Sequence, residues 1–284
     1  MRFHTKPTTF VGHVKIKVEK LDRSLEFYQE VLGFNILEQT TTTAKLTVDG
    51  KTSFLSIEQP ENVKKRQERS SGLYHFAILL PERSDLAHVL VHFREKGIPL
   101  FAAEDHNVSE ALYLHDPDGN GIEIYVDRDP STWTWKGTEV DMTTVPLNIE
   151  NLLTSLLPGK TWNGMPEGAV IGHIHLNVAE LAKTEEFYVK GLGLNVVNRY
   201  KDQALFLSSM NYHHHVAVNI WNGLGAPAPL HNSVGLDTFT LHFPNEEARL
   251  QVVTNLKGIG AVVEEGNSLI ITEDPSGNRI ELVL

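Results

Sequence analysis

Apolar and polar residues alternate near the start of the chain: Val14, Ile16 and Val18 share one parity, and His13, Lys15 and Lys17 the other. A period of two predicts a strand with one face buried and the other turned toward something wet. The period then lengthens. Leu21, Leu25, Tyr28 and Leu32 recur at helical spacing, and Gly33 supplies a stop. The same order returns in the second half, where Ile174, Leu176 and Val178 oppose His173, His175 and Asn177. VGHVKIKVEKLDRSLEFYQEVLGFNIL (11–37) and IGHIHLNVAELAKTEEFYVKGLGLNVV (171–197) match in register, so the chain is an internal duplication.

Each half divides again. GLYHFAILLP (72–81), a helix predicted over 84–96 and strands up to Tyr125 repeat the order of residues 11–58. GLDTFTLHFP (235–244), a helix over 245–257 and strands to Leu284 repeat it once more. DPDGNGIEIY (116–125) and DPSGNRIELV (274–283) write one hairpin twice, each with a glutamate entering the final strand. The expected fold is α+β with two domains, each a pair of βαβββ units forming a cupped, partly open mixed β-barrel. The expected boundaries are 1–129 and 168–284, with a packed linker over 130–167 around the apolar stretch LNIENLLTSLL.

Composition narrows the chemistry. No apolar run approaches the length of a membrane span, and the first residues lack the apolar core of a signal peptide, so no membrane partner and a cytoplasmic location are expected. A net charge of -11 argues against nucleic acid. The absence of cysteine excludes disulfides, thiolate nucleophiles and thiolate metal sites together, which leaves 14 histidines as the softest ligands. There is no Gly-rich phosphate loop and no G-x-S-x-G elbow, so no organic cofactor is expected.

The parity count places His13, His75 and Glu123 each on the polar face of a strand in the first half. Two neutral imidazoles and a carboxylate on adjacent strands can hold a divalent metal on one side and leave the opposite positions open. That set suits Fe(II), with Mn(II), Zn(II) and Ni(II) as alternatives. A rival set in the second half comprises His173, His214 or His215, and Glu281, with Thr238 standing where His75 has its counterpart. His88 and His92, four apart on a helix, lack a third ligand and are expected on a solvated face, and VKKRQER (63–69) is expected to be solvated loop.

The four strand–helix–strand units resemble the vicinal oxygen chelate superfamily over nearly the whole chain. The two-domain layout and the D-P-D-G-N-G-I-E hairpin are similar to the type I extradiol dioxygenases, above all the catechol 2,3-dioxygenases. The resemblance implies iron held by His13, His75 and Glu123, with Tyr113 in ALYLHDPDGNGIE bonding the bound oxygens and His106 in EDHNVSEALY exchanging protons. It also matches His214 or His215 to a further active-site histidine. The implied substrates are a small aromatic diol and O2, opened to a muconic semialdehyde, and the implied assembly is a homo-oligomer. Family members usually keep the iron in the C-terminal domain, whereas the fuller ligand set here favours the first. Two other activities use the same scaffold. One is a glyoxalase-like isomerisation or lyase reaction, which would need a fourth ligand such as Ser56 or Glu58, and the other is sequestration of a ligand in the manner of bleomycin-resistance proteins.

Overall fold

The computed structural model describes residues 2–266 and 269–284. The first unit runs β1 (Phe10–Lys17), α1 (Leu21–Glu30), β2 (Asn35–Gln39), β3 (Thr43–Thr47) and β4 (Ser53–Glu58). The second runs β5 (Gly72–Leu79), α2 (Arg83–Lys96), β6 (Ala102–Asp105), β7 (Ser109–His115) and β8 (Gly121–Asp127). The linker contributes β9 (Trp135–Lys136), β10 (Glu139–Val140), β11 (Val145–Pro146) and the short α3 (Ile149–Leu153). The third unit has β12 (Val170–Asn177), α4 (Leu181–Glu186), β13 (Asn195–Tyr200), β14 (Ala204–Ser208) and β15 (Val216–Asn219). The fourth has β16 (Gly235–His242), α5 (Glu246–Gly258), β17 (Val263–Glu265), β18 (Ile270–Glu273) and β19 (Arg279–Val283). The α+β class and the paired βαβββ units are as the sequence pattern predicts.

The pairing of units differs from the expectation. One eight-stranded sheet runs β17-β18-β19-β16-β1-β4-β3-β2 and joins the fourth unit to the first. A nine-stranded sheet runs β11-β6-β7-β8-β5-β12-β15-β14-β13 and joins the second to the third. The two units of one half therefore do not share a sheet. The junctions are antiparallel pairings of first strands, β1 with β16 and β5 with β12. Every first strand has the same alternation, so local pattern fits either partner, and only the completed crossing buries both apolar faces under the helices. Val14, Ile16, Phe76, Ile78, Ile174 and Leu176 all lie in that buried layer.

What the two units of a half do share is a helix-to-turn lock. Tyr28 of α1 donates to Asp116 Oδ2 at 3.0 Å, and Tyr188, just past α4, donates to Asp274 Oδ2 at 3.2 Å. The same aspartates fold their own turns. Asp116 accepts from the backbone N–H groups of Asp118 and Asn120 and from the Asn120 amide at 2.8–2.9 Å. Asp274 does the same with Ser276 and Asn278 at 2.8–3.0 Å. The repeated hairpin is thus first a structural device. Asp116→Ala strips an acceptor from a buried tyrosine and from three turn donors, and is expected to cost about 3 kcal/mol, because unpaired buried donors carry their full desolvation penalty. A drop in the urea midpoint at unchanged slope checks this, with Asp274→Ala as the matching measurement in the other half.

The linker is packed, as expected. β11 pairs with the edge strand β6, and Leu147, Leu152 and Met165 are buried. One surface expectation is corrected. His88 and His92 are buried rather than solvated, because α2 is covered by the linker: His92 stacks on Trp162 at 4.8 Å and its Nε2 lies 3.1 Å from the Val31 carbonyl. The VKKRQER stretch is a mostly exposed loop, as expected, and within it Arg66 folds inward and donates to the Gly119 and Leu73 carbonyls, tying the loop to the hairpin turn. Among the described residues, no helix is long and apolar enough to cross a membrane.

Candidate metal centre

The strands β12, β5 and β8 lie side by side in the nine-stranded sheet, and their register builds the site. Ala77 on β5 sits opposite Glu123 on β8 and opposite His173 on β12. His75 is two residues before Ala77 and shares its face. The small side chain of Ala77 leaves room for the three longer ones to close above it. Glu123 Oε2 lies 3.0 Å from His75 Nε2 and 3.0 Å from His173 Nε2, and the two imidazole nitrogens are 3.3 Å apart. All three residues are buried, and they form the one group of metal-ligand type found among the described residues.

Glycines make the approach of the strands possible. A side chain at Gly121 would run into the Tyr74 carbonyl and the His75 Cβ, and one at Gly172 would run into the Tyr125 hydroxyl. The G-H pair that begins the repeat therefore clears a path for a neighbouring side chain and then presents a ligand.

The donor set fits a divalent cation. The Glu123 oxygen could accept from both imidazoles, but that would set two N–H donors 3.3 Å apart, whereas three lone pairs converging on one point suit a metal. The protonation states agree. Burial pushes His173 down to about 4, so its ring is neutral. Burial would raise Glu123, but the adjacent His173 and His75 outweigh it and hold the carboxyl well below its usual range. His173 Nδ1 has no partner, so its ring is oriented by packing against Tyr125 at 4.9 Å and His214 at 4.0 Å.

The cluster opens into a cavity of about 490 Å³, within the range of small-molecule pockets of about 300–1,000 Å³. Tyr113 on β7 stands directly opposite Glu123 on β8, so cross-strand pairing brings its phenol to the ligands. Its hydroxyl lies 2.8 Å from His106 Nε2. His106 Nδ1 donates to the Thr143 carbonyl at 2.7 Å, so its Nε2 is the acceptor for the Tyr113 O–H. Burial, with Glu123 and Glu104 nearby, holds the Tyr113 phenol well above its ordinary range and keeps it protonated. His214 and His175 line the opposite wall with Phe206 and Trp221, while the linker residues Met142, Thr143 and Thr144 complete the rim.

Both halves of the chain, over residues 10–124 and 170–282, match the model of the Glyoxalase/Bleomycin resistance protein/Dioxygenase superfamily. The chain belongs to this superfamily. It is 43% identical over 281 residues to a catechol-2,3-dioxygenase of Bacillus subtilis (strain 168), covering 97% of this chain and 98% of that one. A biphenyl-2,3-diol 1,2-dioxygenase of Rhodococcus globerulus is 28% identical over 123 residues, 43% of this chain and 65% of that one. Among solved structures, glyoxalase I from Zea mays superposes with a TM-score of 0.59 at 15% identity, covering 97% of this chain and 92% of that one, a likeness of fold alone.

This superfamily member has a second cup, in the eight-stranded sheet, and the expected ligand His13 lies there. His13 Nε2 is 2.9 Å from Ser56 Oγ, in a different sheet from His75 and Glu123. The set His13, His75 and Glu123 is not brought together, because the crossing of units gives β5 the neighbour β12 instead of β1. The second cup also holds Glu281, but Thr238 replaces the second imidazole and donates to the Arg279 carbonyl at 3.3 Å. Lys15 stands where the first cup has His175, bridged to Glu58 and to Asp237. Glu58 and Asp237 are thus taken up by lysines and are not free to act as ligands beside His13. Of the rival set, His173 joins the cluster and His214 lines the cavity, whereas His215 faces away, with its Nε2 2.9 Å from the Phe3 carbonyl. The sequence carries a signal for this candidate set: His175 marks the strand whose polar face is free of lysine.

Proposed function

We propose that the chain binds Fe(II) through His75, Glu123 and His173 and cleaves catechol or a related dihydroxy-aromatic with O2 to a muconic semialdehyde-type product. The class, an extradiol dioxygenase and thus an oxidoreductase, is supported by the 43% identity over 97% of the chain to a catechol-2,3-dioxygenase. The observation that carries the site is the convergence of three ligand atoms from three adjacent strands in a cavity that also holds a hydrogen-bonded His106–Tyr113 pair. Bound Fe(II) would supply two-point attachment for the diol oxygens and the electrons that activate dioxygen. The chain's own residues do the rest. Phe206 and Trp221 offer aromatic faces to a planar ring, and Tyr113, whose single proton is held by His106, turns its phenol oxygen toward the cavity as an acceptor beside the cluster. The narrow cavity keeps bulk water from the reacting atoms.

A glyoxalase-like reaction receives less support. Its fourth ligand was sought at Ser56 or Glu58, and these lie in the other sheet, with His13 and Lys15 respectively. The reading also includes a cytoplasmic location and a homo-oligomeric assembly. Anaerobic reconstitution with ferrous iron, followed by oxygen uptake with catechol, tests the proposal. Uptake accompanied by a yellow ring-cleavage product is expected. Bound iron without uptake across a panel of catechols and hydroquinones would sink it.

A further inference from the structure

Behind His214 the cavity wall contains a second line of polar side chains, none of which belongs to the convergent ligand set. His213 Nδ1 lies 2.8 Å from His214 Nδ1, and His213 Nε2 lies 2.8 Å from Asp127 Oδ1. The Tyr212 hydroxyl donates to the same Asp127 oxygen at 3.2 Å and lies 2.7 Å from the Tyr125 hydroxyl. His213 is fully buried, and Asp127 closes β8 four residues beyond Glu123. One strand therefore carries a ligand at its middle and the foot of this relay at its end.

Hydrogen-bond accounting fixes the protons along the line. The Asp127 carboxylate can only accept, so the bond from His213 Nε2 places a proton on that nitrogen. A neutral imidazole has one N–H, which leaves His213 Nδ1 as an acceptor. The 2.8 Å contact then requires the proton on His214 Nδ1. His214 Nε2 is left bare, and among the described residues it has no protein partner, while the ring lines the cavity.

We propose that Asp127 and His213 are positioning residues that lock His214 in its Nδ1–H tautomer, so that Nε2 presents an acceptor to the cavity and selects a ligand offering a hydroxyl. This rests on the dioxygenase reading, in which the ligand is an aromatic diol. Tyr113, whose one O–H goes to His106, likewise turns only a lone pair to the cavity. A diol with two hydroxyls to donate matches both.

The test reads the tautomer directly. Long-range proton–nitrogen NMR spectra of ¹⁵N-histidine-labelled protein are recorded as purified and with zinc added as a diamagnetic stand-in, with His214 assigned by comparison with His214→Gln. The expected wild-type spectrum shows a protonated Nδ1 and a bare Nε2 on His214. Asp127→Ala should convert this to a mixture of tautomers and lower kcat for catechol about tenfold with KM changed less than about twofold, the usual scale for an outer partner. Asp127→Asn keeps a carbonyl oxygen for both donors and should restore the single tautomer and most of the rate. A proton on His214 Nε2 in the wild type, or a tautomer unmoved by Asp127→Ala, overturns the proposal. Where Asp127→Ala does not fold, the wild-type spectrum decides alone. If catechol is not cleaved at all, the dioxygenase reading falls while the tautomer is still read.

Discussion

Replacing His173 with alanine is expected to remove iron binding and ring cleavage together, a fall of at least about a thousandfold in kcat/KM, whereas His13→Ala leaves both intact. Loss of a partner outside the ligand shell costs about 10–100-fold in affinity or activity, and loss of a ligand exceeds that. His173 offers one of the three convergent donor atoms, and His175 cannot stand in for it because its Nε2 is already 3.0 Å from the Asn219 amide. Among the described residues His13 hydrogen-bonds to the Ser56 hydroxyl alone, so its removal is expected to cost about 1 kcal/mol of stability and no chemistry. Iron content after anaerobic reconstitution and oxygen uptake with catechol, measured on both variants, check the pair. Iron retained by His173→Ala and lost from His13→Ala would return the site to the first half of the chain alone.

The second large effect concerns protons. Tyr113→Phe is expected to lower kcat about a hundredfold while iron content stays at the wild-type level, in keeping with the contribution of a positioned acid or base. The hydroxyl is held 2.8 Å from His106 Nε2, and the ring, which packs on His75 at 5.7 Å, stays in place because β7 and β8 are paired along their whole length. His106→Asn removes the other partner and should lower kcat to a similar degree. Because the two act as one unit, the double variant should fall little further than either single one. Full additivity in the double variant would show that the two side chains work independently.

Much of this centre was legible in the sequence. Alternation placed His75, Glu123, His173 and Tyr113 on polar faces, and the spacing of Leu21, Leu25, Tyr28 and Leu32 located a helix whose buried side is those residues. The donor types were legible as well, because cysteine is absent and histidine abundant. What local pattern could not convey was which first strand lies beside β5. His13 and His173 occupy equivalent positions in equivalent strands, and side-chain parity is blind to pairing between units. Two substitutions broke the tie, Lys15 for His175 and Thr238 for His75, but their meaning depends on the crossing itself. His106 and Tyr113 were assigned by resemblance, and the Thr143 carbonyl that orients His106 comes from the linker, where no periodicity pointed to it.

The crossed pairing of units has a genetic consequence. Each sheet combines an odd unit of one half with an even unit of the other, which is the arrangement two identical half-length chains would adopt by exchanging a unit. In such a dimer the two centres would be encoded by one set of codons, and a change that silenced one would silence both. Joining the copies in tandem removes that constraint, since Thr238 and Lys15 can alter one cup while His75 and His175 are kept in the other. It also ties the surviving centre to an unbroken reading frame, because Glu123 lies upstream of the linker and His173 downstream. Neither half of the gene, expressed by itself, encodes a complete set of ligands.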